Sequence, residues 1–183
     1  SINKLGGNLP KTFIDPMCGS GTFIYEALNL NKPNIDKILS CKYIPITKPL
    51  VNQNLDHLSI SFDHLIGVDK NTFFNKKRET FDKVTFVNAD IKQYVDNLPK
   101  NSLIISNPPY GKRIKISVNP KEYYNNLIKD LMTRKPSGIG IIIPEEIKLN
   151  NINHYKKNVL LFKNGGLKVK FVLFIKSGPE LSH

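Results

Sequence analysis

The chain has 183 residues, of which 40% are hydrophobic and 23% charged, a balance typical of a single soluble domain with its own core. It contains no secretory signal, only two cysteines and no apolar run near the roughly 20 residues that cross a bilayer, so we expect a cytoplasmic protein without disulfides or membrane segments. The net charge of +12 attracts polyanions, nucleic acid first among them, but a Lys-rich solvated surface explains this charge equally well. Nucleic-acid binding is therefore expected only if the sequence also contains a site for it.

The N-terminal part predicts a strand, a turn and a helix. Thr12 to Ile14 is an apolar strand-like run, and Gly21 to Leu30 has apolar residues at helical spacing. Because Ser1 is not an initiator methionine and the first strand begins soon after it, we expect a fragment of a longer protein. Leu30 to Asp63 is long, polar and interrupted by prolines, which predicts an insertion before the second strand.

The middle of the chain continues the alternation of strands and helices. Further strands are predicted at Leu65 to Val68, Val84 to Val87, Leu103 to Ile105 and Ile139 to Ile143. Helices are predicted at Asn71 to Thr80 and at Asn119 to Arg134, the second with Tyr123, Leu127, Ile128 and Leu131 on one face. Continuous apolar strands separated by helices predict a parallel sheet that is covered on both faces.

The C-terminal part departs from this pattern. Asn158 to Phe162 and Leu167 to Ile175 are separated only by Lys163 to Gly166, which is too short for a crossover helix, so these strands are expected to form an antiparallel hairpin. The predicted fold class is therefore α/β, with a doubly wound, mostly parallel Rossmann-like sheet that ends in an antiparallel hairpin. We treat residues 1–183 as one domain with an insertion at 30–63.

A glycine-bearing turn, Asp15-Pro16-Met17-Cys18-Gly19-Ser20-Gly21-Thr22, joins the first strand to the first helix. Gly19 and Gly21 let the backbone turn tightly and let a ligand approach it closely. The helix that follows offers free N–H groups to the polar end of that ligand. The segment has neither the P-loop pattern nor the dinucleotide Gly-x-Gly-x-x-Gly spacing, so it predicts a different nucleotide-like cofactor.

Two acidic residues follow the next strands at the same predicted edge of the sheet. Asp69 is placed to accept hydrogen bonds from both hydroxyls of a ribose, and Asp90 is placed to accept from an adenine amino group. Each also precedes a predicted helix, so the alternative is that both are helix N-caps. We favour the ligand role for both.

The segment Asn107-Pro108-Pro109-Tyr110 follows the strand Leu103 to Ile105. The two prolines fix the backbone and remove N–H donors, which leaves the Asn107 side-chain oxygen and the Pro108 carbonyl as acceptors. Two converging acceptors suit an NH2 group and stabilise positive charge on its nitrogen, while Tyr110 offers a face for stacking the ring that carries the amine. The alternative is a rigid turn that caps the strand with Tyr110 packed on the surface, and the glycine turn in the same chain argues against it.

Other polar residues give weaker signals. Lys112 and Arg113 are placed to bind phosphates next to a target base, whereas Lys76-Lys77-Arg78 indicates a solvated helix face. Cys18 has no neighbouring base and is interpreted as a small packing residue. The four histidines are scattered, so no metal site is expected.

On these residues the chain resembles the class I S-adenosylmethionine-dependent methyltransferases, and more narrowly the catalytic domain of the THUMP-associated RNA guanine-N2 methyltransferases of the 23S rRNA type. Asp15 to Thr22 with Glu26 resembles the first motif of that family, Asn107 to Arg113 resembles its catalytic motif, and Phe162 to Leu167 resembles its last hairpin. The resemblance implies S-adenosylmethionine as the cofactor and RNA, first of all ribosomal RNA, as the partner.

The resemblance also implies roles for individual residues. Catalytic roles fall on Asn107, Pro108 and Tyr110. The residues assigned to the cofactor are Asp15, Pro16, Cys18, Gly19, Ser20, Gly21, Thr22, Asp69, Lys70, Asp90, Ile91 and Asn107. The residues assigned to the substrate are Pro109, Gly111, Lys112 and Arg113.

Four other functions stay open at this point. The same acceptor pair fits the N6 amine of adenine in DNA or RNA, and the guanine could belong to tRNA. Methylation of a protein glutamine also uses an Asn-Pro-Pro-Tyr motif, but the glycine segment and the basic charge argue against it. Intact Asn107 and Tyr110 argue against an inactive RNA-binding module.

Overall fold

The computed structural model describes residues 10–29, 61–71, 81–110 and 119–177. The described strands are β1 (Thr12–Asp15), β2 (His64–Asp69), β3 (Val84–Asn88), β4 (Leu103–Ser106), β5 (Gly138–Pro144), β6 (Tyr155–Asn164) and β7 (Leu167–Lys176). They form one sheet in the order β3-β2-β1-β4-β5-β7-β6. The neighbours among β1 to β5 pair in parallel, and β7 pairs antiparallel with β5 and β6, which confirms the predicted fold class.

Within the described residues there are three α-helices: α1 (Thr22–Leu28), α2 (Ile91–Tyr94) and α3 (Pro120–Met132). The single turn α2, followed by a 3-10 turn at Val95–Asn97, is the helix that was expected directly after Asp90. The helix expected at Asn71 to Thr80 and most of the insertion at 30–63 lie outside the described residues. In the part of the chain that the structure describes, no helix has the length and apolar character to cross a membrane.

Helix α3 begins and packs for clear local reasons. The Asn119 side chain accepts a hydrogen bond from the Lys121 N–H at 2.9 Å, and Pro120 occupies the first turn, where its missing N–H costs nothing. The buried face consists of Tyr124, Leu127, Ile128 and Leu131. Tyr123, predicted to share this face with Leu127, Ile128 and Leu131, is half-buried and packs against the same core at its margin, while the fully buried stripe with spacing i, i+3, i+4, i+7 starts at Tyr124.

The sheet has a hydrophobic core on each face. Successive strand residues point to opposite faces, so Phe13 and Leu103 pack with α1 while Ile14 and Ile104 pack with α3. Burying one such side chain contributes about 1.5–3 kcal/mol, which is why the central strands β1, β4 and β5 are mostly apolar. The last residues of the insertion join the α1 side, because the rings of Phe62 and Phe13 lie 5.3 Å apart between centroids.

The C-terminal hairpin reaches past the end of its neighbour β5. The last residue pair between β5 and β7 is Pro144 with Val169, and β7 begins two residues before Val169. The turn itself is Gly165 and Gly166, with φ of 55° and 83°, and such left-handed angles at both positions are typical of a two-residue hairpin turn. The connection predicted at Lys163 to Gly166 is reduced to Gly165 and Gly166 in the structure, because β6 continues to Asn164.

Candidate active site

The predicted site residues follow the carboxyl ends of four neighbouring strands. From β1 the chain proceeds outward to β2 and β3 on one side, and to β4 and β5 on the other. Ligands in open α/β sheets bind at the point where this direction changes, here between β1 and β4. The glycine turn follows β1 and Asn107 follows β4, so the two motifs lie next to each other at that point.

The glycine turn is closed by its own backbone and tied to β2. The Gly21 N–H donates to the Cys18 carbonyl at 2.7 Å, and the Cys18 N–H donates to the Val68 carbonyl at 3.0 Å. Gly19 and Gly21 have φ of 48° and 85°, a backbone conformation that favours glycine. A Cβ added at Gly19 would meet no described atom within 4 Å, so the turn faces open space there.

Asp69 connects the end of β2 to the glycine turn. Its carboxylate accepts hydrogen bonds from the Gly19 N–H at 2.9 Å and from the Asn71 N–H at 2.8 Å, one through each oxygen. A carboxylate offers about four acceptor positions, so the half-buried Asp69 retains capacity for a ligand. The bond to Asn71 has the spacing of an N-cap, but the segment behind it is outside the described residues.

Asp15 lies beneath the turn and is only 3% exposed. Burial raises the pKa of Asp15 to about 7 and the nearby Asp69 carboxylate adds to the rise, while a hydrogen bond from the Met17 N–H, at 3.1 Å, and the Ser106 hydroxyl oppose it. The Ser106 hydroxyl lies beside the carboxyl group but makes no well-formed hydrogen bond to a described protein atom. Asp15 therefore supports the turn from below, and direct contact with a cofactor stays a prediction.

Asp90 acts as the N-cap of α2 and also lies near a tyrosine of α3. Its carboxylate accepts a hydrogen bond from the Lys92 N–H at 2.9 Å, so the cap alternative is realised, with further acceptor capacity left over. The Tyr123 hydroxyl donates to the Met17 sulfur at 3.7 Å. Burial and the charge of the nearby Asp90 raise the pKa of Tyr123. Sequence reasoning missed Tyr123 as a site residue, although its position at the margin of the α3 stripe was a usable signal.

The Asn107 to Tyr110 motif is held by two neighbouring elements. The carbonyl of the exposed Pro109 accepts a hydrogen bond of 3.5 Å from the hydroxyl of Tyr124, and burial raises the pKa of Tyr124, which keeps the proton on that donor. The Tyr110 hydroxyl accepts a hydrogen bond from the Asn164 amide of the hairpin. The sequence indicated this hairpin only as a family feature, so Asn164 was also missed.

The side chain of Asn107 takes no part in this support. It is exposed, and it makes no hydrogen bond to the residues that the structure describes, whereas Pro108 is buried beside it. A side chain that binds an external ligand has to be free of other hydrogen bonds while the residues around it are held in place, and within the described residues the Asn107 amide meets both conditions. Gly111, Lys112 and Arg113, assigned to the substrate, lie outside the described residues.

The remaining predicted cofactor residues fall into two groups. Pro16, Cys18 and Ile91 are buried, so their side chains pack beneath the site, as was expected for Cys18. Ser20, Thr22 and Lys70 are exposed, and the hydroxyls of Ser20 and Thr22 lie 3.2 Å apart at the start of α1. Among the described residues, no group of three or more His, Cys, Asp or Glu side chains is arranged to hold a metal ion.

The chain is similar in sequence to several known proteins. A family model described as "RMKL-like, methyltransferase domain" matches residues 5–160. The tRNA (guanine(6)-N2)-methyltransferase of Methanocaldococcus jannaschii is 29% identical in an alignment that covers 63% of this chain and 34% of that protein. Ribosomal RNA large subunit methyltransferase K/L of Buchnera aphidicola is 23% identical in an alignment that covers 94% of this chain and 28% of that protein. The chain thus spans about a third of the length of these curated relatives.

Solved structures with the same fold extend the comparison. TrmN from Thermus thermophilus matches with a TM-score of 0.54 at 14% identity, over 96% of this chain and 46% of that one. SMU.472, which was solved in complex with SAH, matches with a TM-score of 0.57 at 21% identity, over 98% of this chain and 52% of that one. At these identities the likeness concerns the fold.

Proposed function

Because the chain belongs to the RMKL-like methyltransferase domain family, we propose that it methylates the exocyclic 2-amino group of guanine in RNA. The family resemblance inferred from the two motifs is confirmed by that membership. The cofactor is S-adenosylmethionine, consistent with the SAH bound to the similarly folded SMU.472. When bound, this cofactor supplies an electrophilic methyl group on a sulfonium centre.

The residues at the carboxyl edge of β1 to β3 fit this cofactor. The open space over Gly19 admits a ligand against the backbone of the turn. Asp69 retains acceptor capacity for ribose hydroxyls, and Asp90 retains it for an amino group of the nucleoside. Met17 and Tyr123, in contact at 3.7 Å, close the side of the turn that faces α3.

The exposed amide of Asn107 on its anchored loop is the observation that carries the proposal. Its side-chain oxygen, together with the Pro108 carbonyl, supplies two acceptors for the two N–H bonds of an exocyclic amine. Holding both N–H groups orients the nitrogen lone pair, and the same oxygens stabilise the positive charge that develops on nitrogen before one proton passes to solvent. Tyr110 stacks on the guanine ring.

Ribosomal RNA is the substrate that we propose first. The alignment with the ribosomal RNA enzyme covers 94% of this chain, and the net charge of +12 suits a large polyanion. The 29% identity to a tRNA guanine-N2 enzyme favours tRNA as the second candidate. We also propose a cytoplasmic location and residues 1–183 as one catalytic domain.

Transfer of a tritiated methyl group tests this proposal. The full-length protein is incubated with labelled S-adenosylmethionine and with ribosomal RNA, tRNA or DNA in turn, and the nucleosides are separated. We expect label in N2-methylguanosine from ribosomal RNA. Label in N6-methyladenosine would refute the guanine assignment, and label from tRNA alone would move the proposal to the second candidate.

The same assay with two asparagine variants tests the role of the motif. Asn107→Ala should lower methyl transfer by a factor of about 10²–10³, the usual cost of one transition-state hydrogen-bonding group. Calorimetry should show nearly unchanged cofactor affinity. Asn97→Ala, at the exposed end of the 3-10 turn, is the matched control and should behave like the wild type. A fully active Asn107→Ala enzyme would rule out the proposed role of that amide.

A further inference from the structure

The tip of the β6–β7 hairpin lies at the same edge of the sheet as the active site. Since the last β5–β7 pair is Pro144 with Val169, the residues of β7 before Val169 extend beyond the carboxyl end of β5. Asn164, the last residue of β6, donates its hydrogen bond to the Tyr110 hydroxyl. A surface on this tip is therefore adjacent to the position where the target base stacks.

Two lysines face each other directly on that tip. Lys163 and Lys168 are a cross-strand pair in the antiparallel register, and both are exposed. Like charges opposite each other destabilise a hairpin, so this pair is unfavourable in the isolated domain. Neither lysine forms an ion pair with the residues that the structure describes.

The next pair on the same face of the hairpin consists of a leucine and a lysine. Leu161 is paired with Lys170 and is 57% exposed, an unusual position for a large apolar side chain beside charged groups. Lys170 Nζ donates to the Glu145 carbonyl at 2.6 Å, which holds its ammonium group on the surface.

Positive charge accumulates around Lys170. Burial lowers the pKa of Lys170, and Lys157 and Lys148 lower it further, while the carboxylates of Glu145 and Glu146 act in the opposite direction without reversing the result. Lys157 lies on the same face and is two residues farther from the tip than Val159. Its ammonium group donates to the Leu149 carbonyl at 2.7 Å. The face is therefore basic from its tip to its middle.

We infer that this basic hairpin face, made of Leu161, Lys163, Lys168 and Lys170, binds the RNA backbone next to the nucleotide that is methylated. The inference rests on the proposed function, since it needs a target base at Tyr110. Phosphates placed between Lys163 and Lys168 convert their repulsion into two attractive contacts, and Leu161 packs against a ribose or a base. Asn164 lies next to Lys163 in sequence and its side chain projects from the opposite face of the hairpin, so the end of this strand carries the phosphate contact on one face and the contact with Tyr110 on the other.

The test measures RNA binding by the full-length protein with a fluorescent single-stranded 20-nucleotide RNA, at several salt concentrations. Lys163→Gln/Lys168→Gln is compared with Lys100→Gln/Lys135→Gln. The control pair removes the same charge from exposed lysines that precede β4 and β5, at the opposite edge of the sheet. We expect the hairpin variant to bind roughly tenfold more weakly and to lose about 1.4 from the slope of log affinity against log salt, or about 0.7 for each phosphate contact.

The outcomes separate this inference from the proposed function. Equal affinity and equal salt slope in the two variants would overturn the inference, while tritium transfer by the wild type would leave the guanine methylation proposal intact. The hairpin variant should melt no lower than the control, because one repulsive pair is removed. If it fails to fold, the single variants Lys163→Gln and Lys168→Gln are measured, and each should lose about half of the change in slope.

A third variant distinguishes RNA from a protein partner. Leu161→Ser should weaken RNA binding without changing the salt slope, because the contact it removes is apolar. If Leu161→Ser instead changes the oligomeric state in light scattering and leaves RNA affinity unchanged, the face is a protein interface and the inference is wrong.

Discussion

The side-chain amide of Asn164 donates a hydrogen bond to the hydroxyl of Tyr110, across 54 positions in the sequence. This bond joins the last hairpin to the motif that we propose holds the target amine. Tyr124 of α3 holds the same loop from the other side through the Pro109 carbonyl. The ring of Tyr110, for which we propose the stacking role, is therefore positioned before any substrate arrives, which reduces the entropy that binding has to remove.

The first prediction concerns this bond. Asn164→Ala should lower kcat for RNA methylation by about tenfold, because a net hydrogen bond of about 1–1.5 kcal/mol is lost from the orientation of Tyr110. Cofactor affinity by calorimetry should not change, since Asn164 makes no contact with the described glycine turn. Asn164→Asp should restore activity, because its carboxylate accepts a hydrogen bond from the Tyr110 hydroxyl.

A double-mutant cycle controls for a general effect of the hairpin. Tyr110→Phe keeps the ring and removes only the hydroxyl, so the Tyr110→Phe/Asn164→Ala double variant should be no slower than the worse single variant. Fully additive losses in kcat would show that Asn164 acts through some other group.

The second prediction concerns Asp69, whose two oxygens hold the Gly19 and Asn71 N–H groups. In Asp69→Asn one of these two N–H groups faces an NH2 group, so the connection between β2 and the glycine turn or the turn at Asn71 loses a hydrogen bond that costs about 1–3 kcal/mol to leave unmade. Calorimetry should show S-adenosylmethionine binding at least tenfold more weakly, and the melting temperature should rise less at a fixed cofactor concentration. Asp82→Asn, an exposed carboxylate before β3, is the charge-matched control.

The strands and both motifs could be predicted because their signals are local. Apolar runs that end in Asp69 or Asn107 identify parallel strands and the edge where a ligand binds. Contacts between distant segments carry no such signal: the Asn164 to Tyr110 bond and the Tyr123 to Met17 contact depend on how the hairpin and α3 pack. Asp90 shows a third situation, since one carboxylate serves as an N-cap and keeps acceptor capacity for a ligand, so the two alternatives were not exclusive.

The third prediction concerns Gly67, which lies under the glycine turn in β2. A Cβ added there would lie 2.9 Å from the Cys18 sulfur and 2.8 Å from the Phe86 ring, closer than side-chain carbons approach. Gly67→Ala should therefore destabilise the domain by about 1–3 kcal/mol and displace Cys18, with weaker cofactor binding as the result.

Gly140→Ala is the control for packing alone. Its Cβ would meet Phe171 and Ile105 at 2.5 and 2.6 Å, in a strand that does not touch the glycine turn. Urea unfolding should show a loss of stability in both variants, and calorimetry on the folded fraction should show weaker cofactor binding only in Gly67→Ala. Equal cofactor affinity in the two variants would mean that Gly67 does not support the turn.

The last prediction concerns Asp15 and pH. Burial, with a smaller contribution from the Asp69 charge, raises the pKa of Asp15 from 3.8 to about 7 in the folded chain. Between these two values the unfolded chain has released the proton and the folded chain retains it, so stability falls as pH rises through this window and stays lower above pH 7. At about 1.4 kcal/mol for each pKa unit, the full loss is on the order of 4 kcal/mol.

Asp15→Asn isolates this contribution, because its side-chain oxygen still accepts the Met17 N–H while no charge is buried. Urea unfolding of both proteins between pH 5 and pH 8 should show that the free energy of unfolding of the variant rises relative to that of the wild type as pH rises, since the other titrating groups are common to both. Asp69→Asn should move this change to lower pH by a modest amount only, because it removes the charge repulsion and leaves the larger effect of burial. A stability difference between wild type and Asp15→Asn that is constant from pH 5 to pH 8 would contradict the raised pKa.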